Sequence, residues 1–453
     1  MNNLRLKIWK TVPIQLLLMM GNFTFAQGIL DQYIQVGLEN NLVLVEKNID
    51  LEKSLLALKD AKSYFLPSID LGINYTLADG GRTIDIPIGD LLNPVYSTLN
   101  QLTGSNAFPQ LENVSEQFLP NNFYDARVRA SLPLLNTDLI YQKDIRQKQV
   151  ILSEYELEIY RANLIQDIKV AYYTFCTAHT ALGIIESSKD LVLQNLKDNQ
   201  TLLENGKGLP SSVLRAESEV ENINALLIEA LTVKENAASY VNFLLNRPVK
   251  SEVIFEAQSL DLEQITRLMQ EDNLSGRPEL LQVQTAVSIQ ETVLKSNKNF
   301  WVPKINTFAD LGSQNFDWAF ERESQYALLG INLSLPIYQG NRNKNQIYRG
   351  ELNLQSVQNQ QNLLENKLSL DLQLAKNSIR SQQASLKSAE KKLESSSSYL
   401  RLVDRGFKEG TNSLIEFIDA RNQFTQASLQ RTINSYSLLK SIAILERQLL
   451  TSN

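Results

Sequence analysis

The feature that most constrains the fold of this chain is a long internal repeat. Residues 131–135 read Ser-Leu-Pro-Leu-Leu, and residues 334–338, about 203 positions later, read Ser-Leu-Pro-Ile-Tyr. A glycine followed ten positions later by an alanine occurs at Gly206 and again at Gly410. A unit of this length is a duplicated half of an architecture, because solenoid repeats are only about 20–50 residues long. The chain is therefore predicted to consist of two similar halves.

Composition and charge exclude several classes of function. The 453 residues carry a formal net charge of -6, which argues against nucleic acid as the main partner. The single cysteine, Cys176, and the single histidine, His179, exclude a disulfide and a histidine cluster, and both are predicted to be ordinary helix positions. No nucleotide-binding loop or catalytic triad is present. We therefore expect no enzyme, no catalytic residue, no metal site and no cofactor.

The N-terminal residues have the pattern of a secretory signal peptide. A basic start over 5–10 is followed by an apolar stretch over 12–20 and by Thr-Phe-Ala at 24–26. Residues 1–26 are predicted to be the signal peptide, with the mature chain starting near Gln27. No later run of 18 apolar residues predicts a spanning helix. The pattern indicates a periplasmic protein, a secreted protein or an outer-membrane barrel.

Two stretches are predicted to form very long helices. Residues 136–204 and 341–403 contain no proline and one glycine each. Each is followed by a glycine-containing turn and a return helix, which ends near Leu245 in the first half and near Leu450 in the second. In the second stretch, leucine, isoleucine and alanine recur in the 4-7-4 spacing of a coiled-coil seam. Each half is therefore predicted to contain a long antiparallel helical hairpin.

Four shorter segments alternate between apolar and polar residues, with exceptions at Phe308 and Leu328. They lie at about residues 66–78, 123–135, 302–312 and 325–337. Their length and period of two are typical of transmembrane β-strands, although one face of a soluble β-sandwich is the alternative. Aromatic residues near the strand ends could form a membrane-interface girdle: Tyr64, Phe65, Phe300, Trp301 and Tyr338.

The fold class that follows is mixed and mainly α, with four β-strands per chain. The predicted domains are a first repeat over 27–246, a connecting equatorial segment over 247–277, and a second repeat over 278–453. The loop between the first two strands, residues 78–122, is long and rich in glycine, proline and asparagine. Four strands cannot close a membrane barrel, so strands from other copies are required. Two copies would supply eight strands, and three would supply twelve and leave room for a lumen.

Several motifs resemble the TolC-like outer membrane efflux protein family. They are Phe-Leu-Pro at 65–67, Trp-Val-Pro at 301–303, the segment from Leu335 to Arg342, and the segment from Gly410 to Ala420. Their order covers nearly all of the mature chain. The resemblance implies a homotrimer with a twelve-stranded barrel in outer-membrane lipid and an α-helical barrel across the periplasm. It also implies a passive exit channel for efflux or type I secretion, partnered by a periplasmic adaptor protein and an inner-membrane transporter.

The resemblance assigns a role to Glu416 and Asp419, which lie three residues apart near the start of the last helix. Acidic residues at the matching family positions ring the periplasmic entrance, and such rings favour cations. Mutual repulsion would raise some of their pKa values. The alternative is that Glu416 only complements the positive end of the helix. Asn412 stands where the family has a basic gate residue, and Phe407 stands where it can have a hydroxyl-bearing aromatic residue.

The two turns of the helical hairpins are, by the same resemblance, the surface that docks the adaptor. The residues assigned to it are Gly206, Gly208, Leu209, Pro210, Gly410, Thr411, Asn412 and Ser413. Simple hairpin loops are the alternative interpretation of both turns. For the whole chain, the alternative function is an exported, non-conducting coiled-coil stalk or adhesin.

Overall fold

The computed structural model describes residues 28–450 of the chain. The predicted signal peptide and the predicted start of the mature chain at Gln27 lie outside the described residues. Two compact units are each assembled from distant segments of sequence. Among the described residues, the first holds 28–49, Tyr155–Leu281 and 363–450, and the second holds Asp50–Glu154 and Gln282–Asn362. The predicted limits of the two repeats and of the connecting segment stay predictions.

Helices account for most of the described chain, as the sequence predicts. They are α1 (Ile29–Asn40), α2 (Leu42–Ser63), α3 (Ile88–Thr103), α4 (Thr137–Glu204), α5 (Pro210–Leu244), α6 (Leu262–Gln270), α7 (Pro278–Lys298), α8 (Arg342–Lys408) and α9 (Leu414–Leu449). The two long helices, α4 and α8, have 68 and 67 residues and confirm the prediction made from the absence of proline. The second continues beyond its predicted end at residue 403.

The core of the first unit is a large apolar cluster that gathers residues from most of its helices. Tyr172 and Phe175 of α4, Ile379 of α8 and Leu445 of α9 are almost completely buried in it. Ile379 belongs to the predicted seam of α8, and Leu386, one heptad later, is buried as well. Burial of such side chains is the main source of stability for these long helices, because helix propensity contributes little by itself.

Cys176 and His179 occupy ordinary packed positions of α4. The Cys176 thiol is buried in the core, and this burial raises its pKa to about 12, so it stays protonated. His179 stacks on Phe255 with ring centroids 4.3 Å apart, and burial, aided by Lys234, lowers its pKa. The sequence-based interpretation of both residues is confirmed.

The second unit contains one main sheet and one small sheet. The strands are β1 (Ser68–Thr76), β2 (Thr83–Ile86), β3 (Val114–Gln117), β4 (Phe123–Leu135), β5 (Lys304–Phe316) and β6 (Gln325–Ser334). The main sheet has the antiparallel order β1-β4-β5-β6, and β2 pairs with β3 separately. All four predicted strands are confirmed, although β5 runs four residues further than predicted, to 316 rather than 312.

The register gives the main sheet two chemically different faces. Leu71, Val128, Leu311 and Ala327 are paired across the four strands in one row, and this row lies on an apolar face. Rows of the other parity carry charged and polar residues. Leu71 is 70% exposed in the single chain. The apolar face is therefore uncovered by any other described part of the chain.

Aromatic residues lie near both ends of the main sheet. The five predicted girdle residues flank the starts of β1 and β5 and the end of β6, and all are exposed. A second group, which the sequence analysis missed, lies at the opposite end. There Trp318 stacks on Tyr75 and on Tyr124 with centroids 5.0 and 5.3 Å apart, and Phe320 packs against Tyr124.

The long loop of residues 78–122 is structured, which its composition did not predict. It contains the β2–β3 pair and helix α3. Two asparagines of α3 fasten the returning chain: Asn93 exchanges two hydrogen bonds with the backbone of Leu111, and Asn100 does the same with Phe108. Asparagine marks loops in sequence, but here its side chains replace backbone partners.

A buried group of charges ties the beginning of α7 to α9. The guanidinium of Arg277 donates two hydrogen bonds to the carboxylate of Glu279, at 3.1 and 2.9 Å, and Arg447 donates to the same carboxylate. Arg447 also donates to Asn163 of α4 at 2.8 Å. Burial alone would raise the pKa of Glu279, but the bonds from Arg277 and Arg447 hold it below its ordinary value.

We predict that Glu279→Gln lowers the free energy of unfolding by about 3–5 kcal/mol, because two buried guanidiniums lose their counter-ion. Since the folded pKa of Glu279 is depressed, its contribution is complete above the ordinary carboxyl pKa and is lost as the pH falls through the folded value. Denaturant titrations of wild type and variant should therefore converge in acid. Glu394→Gln, in an exposed pair with Lys391, is the control, and equal losses in the two variants would contradict the prediction.

Candidate functional site

The turns at the ends of α4 and α8 have the same backbone geometry. In the first, Gly206 has φ 73°, its N–H donates to the carbonyl of Leu203, and the N–H of Lys207 donates to the carbonyl of Leu202. The same two bonds close the second turn around Gly410, which has φ 78°. This is the Schellman arrangement, in which a left-handed glycine satisfies the last carbonyls of a helix.

The helices that leave these turns start with different caps. Helix α5 begins with Pro210, and the preceding Leu209 makes no side-chain cap. Helix α9 begins with a capping box between Ser413 and Glu416. The Ser413 hydroxyl accepts from the Glu416 N–H at 3.3 Å, and the Glu416 carboxylate accepts from the Ser413 N–H at 2.7 Å. The two halves thus share the turn and differ in the charge that follows it.

The carboxylate of Glu416 is held as an anion. It accepts from the Ser413 backbone first, and from the Asn412 amide at 3.3 Å and the Ser413 hydroxyl at 3.1 Å. These bonds keep the pKa of Glu416 below its ordinary value. Within one chain this direction is opposite to the rise expected from mutual repulsion of ring carboxylates. Glu416 therefore caps the start of α9, and its assignment to the channel entrance stays a prediction.

Glu416 and Asp419 are exposed on one side of α9. Phe417 and Ala420, between and beside them, are buried against the neighbouring helix surface. Asp419 accepts one hydrogen bond from Gln423 at 2.7 Å. The packing of α9 therefore directs both carboxylates away from the apolar cluster of their own chain.

Asn412 and Phe407 have local partners in the second turn. Asn412 donates to Glu416, so it supports the acidic residue of its own helix start. Phe407 stacks on Phe417 with centroids 5.4 Å apart and joins the apolar cluster of Val403 and Ala420. Neither contact is an ion pair, which agrees with the uncharged residue at position 412.

The starts of α5 and α9 line a common groove of about 670 Å³, which we call the tip groove. Its lining residues are Leu209, Ser211, Ser212, Arg215, Ser413, Leu414, Ile415 and Ile418. Leu209 and Ile415 are 66% and 76% exposed. The groove is therefore bordered by large apolar side chains that no other described residue covers.

Of the residues predicted for the tips, the structure brings only Leu209 and Ser413 into the tip groove. Gly206 and Gly410 shape the turns, and the Thr411 hydroxyl donates to the carbonyl of Gly406. Gly208 packs so closely that an added Cβ would lie 2.7 Å from the backbone nitrogen of Leu203. Sequence reasoning missed Ile415 and Leu414, whose only signal was an apolar pair beside a helix start.

A buried ion pair joins α5 to α9 beyond the groove. Arg421 donates to Glu219 at 2.7 Å, and the partly exposed Arg215 reaches the other oxygen of the same carboxylate at 3.2 Å. Arg421 and Glu219 belong to different halves of the sequence. The two hairpin ends are therefore tied to each other by charge within one chain.

Residues 28–450 contain neither a helical membrane span nor a metal site. No helix of this part of the chain has both the length and the hydropathy needed to cross a membrane. In the same residues, histidine, cysteine, aspartate and glutamate form no group that could hold a metal ion.

Comparison with known proteins finds one family model, described as outer membrane efflux protein, that matches residues 270–449. The outer membrane protein TolC of Salmonella enteritidis is 21% identical, over 95% of this chain and 84% of the relative. TolC of Escherichia coli strain K12 is 18% identical, over 97% of this chain and 87% of the relative. The crystal structure of the Campylobacter jejuni CmeC outer membrane channel superposes with a TM-score of 0.74 at 15% identity, covering 94% of this chain and 86% of that one.

We predict that Glu416→Ala lowers the melting temperature, whereas Glu416→Gln largely preserves it. Glutamine can accept the hydrogen bond of the capping box, but alanine cannot. Differential scanning fluorimetry of the two purified variants checks this, with Glu409→Gln, an exposed acid before the turn, as control. If alanine and glutamine at position 416 melt alike, the cap has no measurable role.

Proposed function

We propose that this chain is a TolC-like outer membrane efflux protein and forms the passive exit channel of an export system. The observation that carries the proposal is the main sheet. One of its faces is apolar and uncovered, the other is polar, and among the described residues its outer strands β1 and β6 each have a strand neighbour on one side only. These are the properties of a barrel wall between lipid and water.

Closure of the wall requires several copies of the chain. In lipid, an unpaired strand edge leaves backbone N–H and C=O groups without partners, at several kcal/mol each. Pairing β6 of one copy with β1 of the next removes both edges. Three copies would give twelve strands, enough to enclose a lumen rather than a solid core of side chains. We therefore propose a homotrimer in the outer membrane.

The long helices would continue the channel into the periplasm. Helices α4 and α8 follow directly after β4 and β6 in the chain, and their surfaces are rich in Gln, Asn, Ser, Lys and Glu. In the proposal these helices from three copies enclose a water-filled duct. A periplasmic adaptor protein binds the hairpin ends, and an inner-membrane transporter supplies the solute.

Glu416 and Asp419 are proposed to line the entrance of this duct. Three copies would bring six carboxylates to one aperture, and such a ring favours cations over anions. The capping box supports the proposal because it fixes the position of the Glu416 carboxylate and holds its pKa low. Capping and selectivity are therefore compatible roles for one residue.

The tip groove is proposed as the adaptor contact. Its exposed Leu209 and Ile415 are large apolar side chains of the kind that dominate binding interfaces when they are covered by a partner. Both hairpin ends contribute to it, so a single adaptor segment could contact both halves of the chain.

A non-conducting stalk or adhesin is the rival function, and the main sheet argues against it. A stalk in water would expose a continuous apolar face, which soluble proteins avoid. A position between lipid and water explains why apolar and polar residues alternate so regularly along β1 and β4. In a channel the apolar face contacts lipid and the polar face contacts the lumen, whereas a stalk in water gives the apolar face no partner.

We predict that the purified protein opens cation-selective pores in planar bilayers, and that Glu416→Gln with Asp419→Asn moves the K⁺/Cl⁻ permeability ratio toward one. The double variant removes charge while glutamine keeps the helix cap. Reversal potentials in a KCl gradient measure the ratio, with Glu409→Gln as the control. A wild type that never conducts contradicts the channel, and an unchanged ratio in the double variant contradicts the entrance ring alone.

We predict that Leu209→Glu abolishes efflux while leaving the assembled protein in the outer membrane. A carboxylate in an apolar contact costs binding energy, since it must be desolvated without a partner. Drug accumulation in a strain carrying only the variant measures efflux, and membrane fractionation measures assembly. Leu262→Glu is the matched control, because Leu262 is also 66% exposed and also lies at a helix start, as the first residue of α6. Full efflux with Leu209→Glu would count against docking at the tip groove.

A further inference from the structure

Two apolar side chains break the alternation of β5 and β6, and the register places both on the polar face of the sheet. Phe308 is paired with Gly330, and Leu328 is paired with Asp310. Tyr326 lies on the same face, one row further along, opposite Gly312. Phe308, Leu328 and Tyr326 therefore occupy successive rows of one face, and we call this group the lumen patch.

The two rings of the lumen patch lie across the sheet over glycines. A Cβ added to Gly330 would be 2.5 Å from the ring of Phe308, and one added to Gly312 would be 2.7 Å from the ring of Tyr326. Only glycine opposite each ring permits this close approach. Leu328, between the two rings, is half exposed. The patch is thus an apolar surface, with both rings close to the backbone of the sheet, on an otherwise polar face.

Charged neighbours hold the patch in place. Arg129 donates two hydrogen bonds of 2.7 Å to Asp310, and its guanidinium lies 4.7 Å over the ring of Phe308. The Tyr326 hydroxyl donates to Asp125 at 3.0 Å. The side chain of Asp310 is 1% exposed, so the carboxylate that neutralises Arg129 is covered.

Arg127 supplies an accessible positive charge beside the patch. Its strand neighbours in the row are Gly72 and Gly312, which have no side chains, and the space beside Gly72 is open. The contact of Arg127 with Asp125 is 3.3 Å long, and about a third of the Arg127 side chain is exposed. A guanidinium in this position can form hydrogen bonds with a carboxylate that approaches from the polar side.

We propose that the lumen patch and Arg127 form a contact site for aromatic anions on the inner wall of the β-barrel. The rings and Leu328 receive the aromatic body, and Arg127 pairs with the acidic group. The inference rests on the proposed function, because closure of the barrel is what turns this face toward the lumen. Weak contact suits a conducting pore, since a solute that binds tightly does not leave.

The test is block of single pores in planar bilayers by 2-naphthoate. The wild type should show a concentration-dependent fall in current with 2-naphthoate and none with acetate, which lacks the ring. Leu328→Ser should raise the half-blocking concentration about threefold to tenfold, the range expected for losing part of one buried apolar side chain. Arg127→Gln should remove the preference for 2-naphthoate over 2-naphthylmethylammonium.

Gln314→Ala, on the same face and strand as Phe308 but outside the patch, is the matched control and should leave the block unchanged. Equal effects of 2-naphthoate and acetate on the wild type would overturn the proposal. An unchanged block in Leu328→Ser, or an equal loss of block in Gln314→Ala, would overturn it as well. Failure of the wild type to conduct at all would instead overturn the proposed channel, so the two failures are distinguishable.

Discussion

The constraint on which the rest of this structure depends is a four-stranded sheet that one chain cannot complete. Half of the N–H and C=O groups of an edge strand point away from the sheet, and β1 and β6 are both edges. In hydrocarbon each unpaired group costs several kcal/mol, whereas a cross-strand side-chain pair recovers only about 0.2–1 kcal/mol. Assembly with further copies follows from this cost, and the uncovered apolar face selects lipid as the surroundings.

The internal repeat divides the work between the two halves. Each half supplies two strands of the sheet and one long hairpin, and the hairpins turn through the same glycine-based motif. The caps that follow differ, because Leu209 and Pro210 are uncharged whereas Ser413 and Glu416 place a carboxylate at the helix start. The same turn geometry thus occurs in both halves of the chain, whereas only the second half carries the acidic pair. The Arg421–Glu219 pair then joins the ends of the two hairpins.

Periodicity was sufficient to predict the main elements, because α4, α8 and the four strands each extend over enough residues to show a pattern. Shorter elements were not predictable in this way. Helix α3 is fastened to the chain that follows it by asparagine side chains that bond to backbone groups some eight to eighteen residues away. The role of Glu416 as a cap was predictable from Ser413 three residues before it, but the tip groove was not. Its residues are about 200 positions apart in sequence, and nothing local relates Leu209 to Ile415.

The residues that break the alternation of β5 and β6, Phe308 and Leu328, are more informative about function than the alternation itself. A leucine on the wet face of a strand gains little burial, and glycine inside a strand weakens it. Both costs occur on the polar face of β5 and β6. The row of Leu328 lies between the row in which Gly312 stands opposite Tyr326 and the row in which Gly330 stands opposite Phe308. Closure of the barrel depends on the backbone of the edge strands β1 and β6, and its apolar outer face depends on the rows of the other parity, so neither requires these side chains. A cost that the fold does not need is best explained by a contact outside the fold, and the polar face of the sheet is where a passing solute would make it.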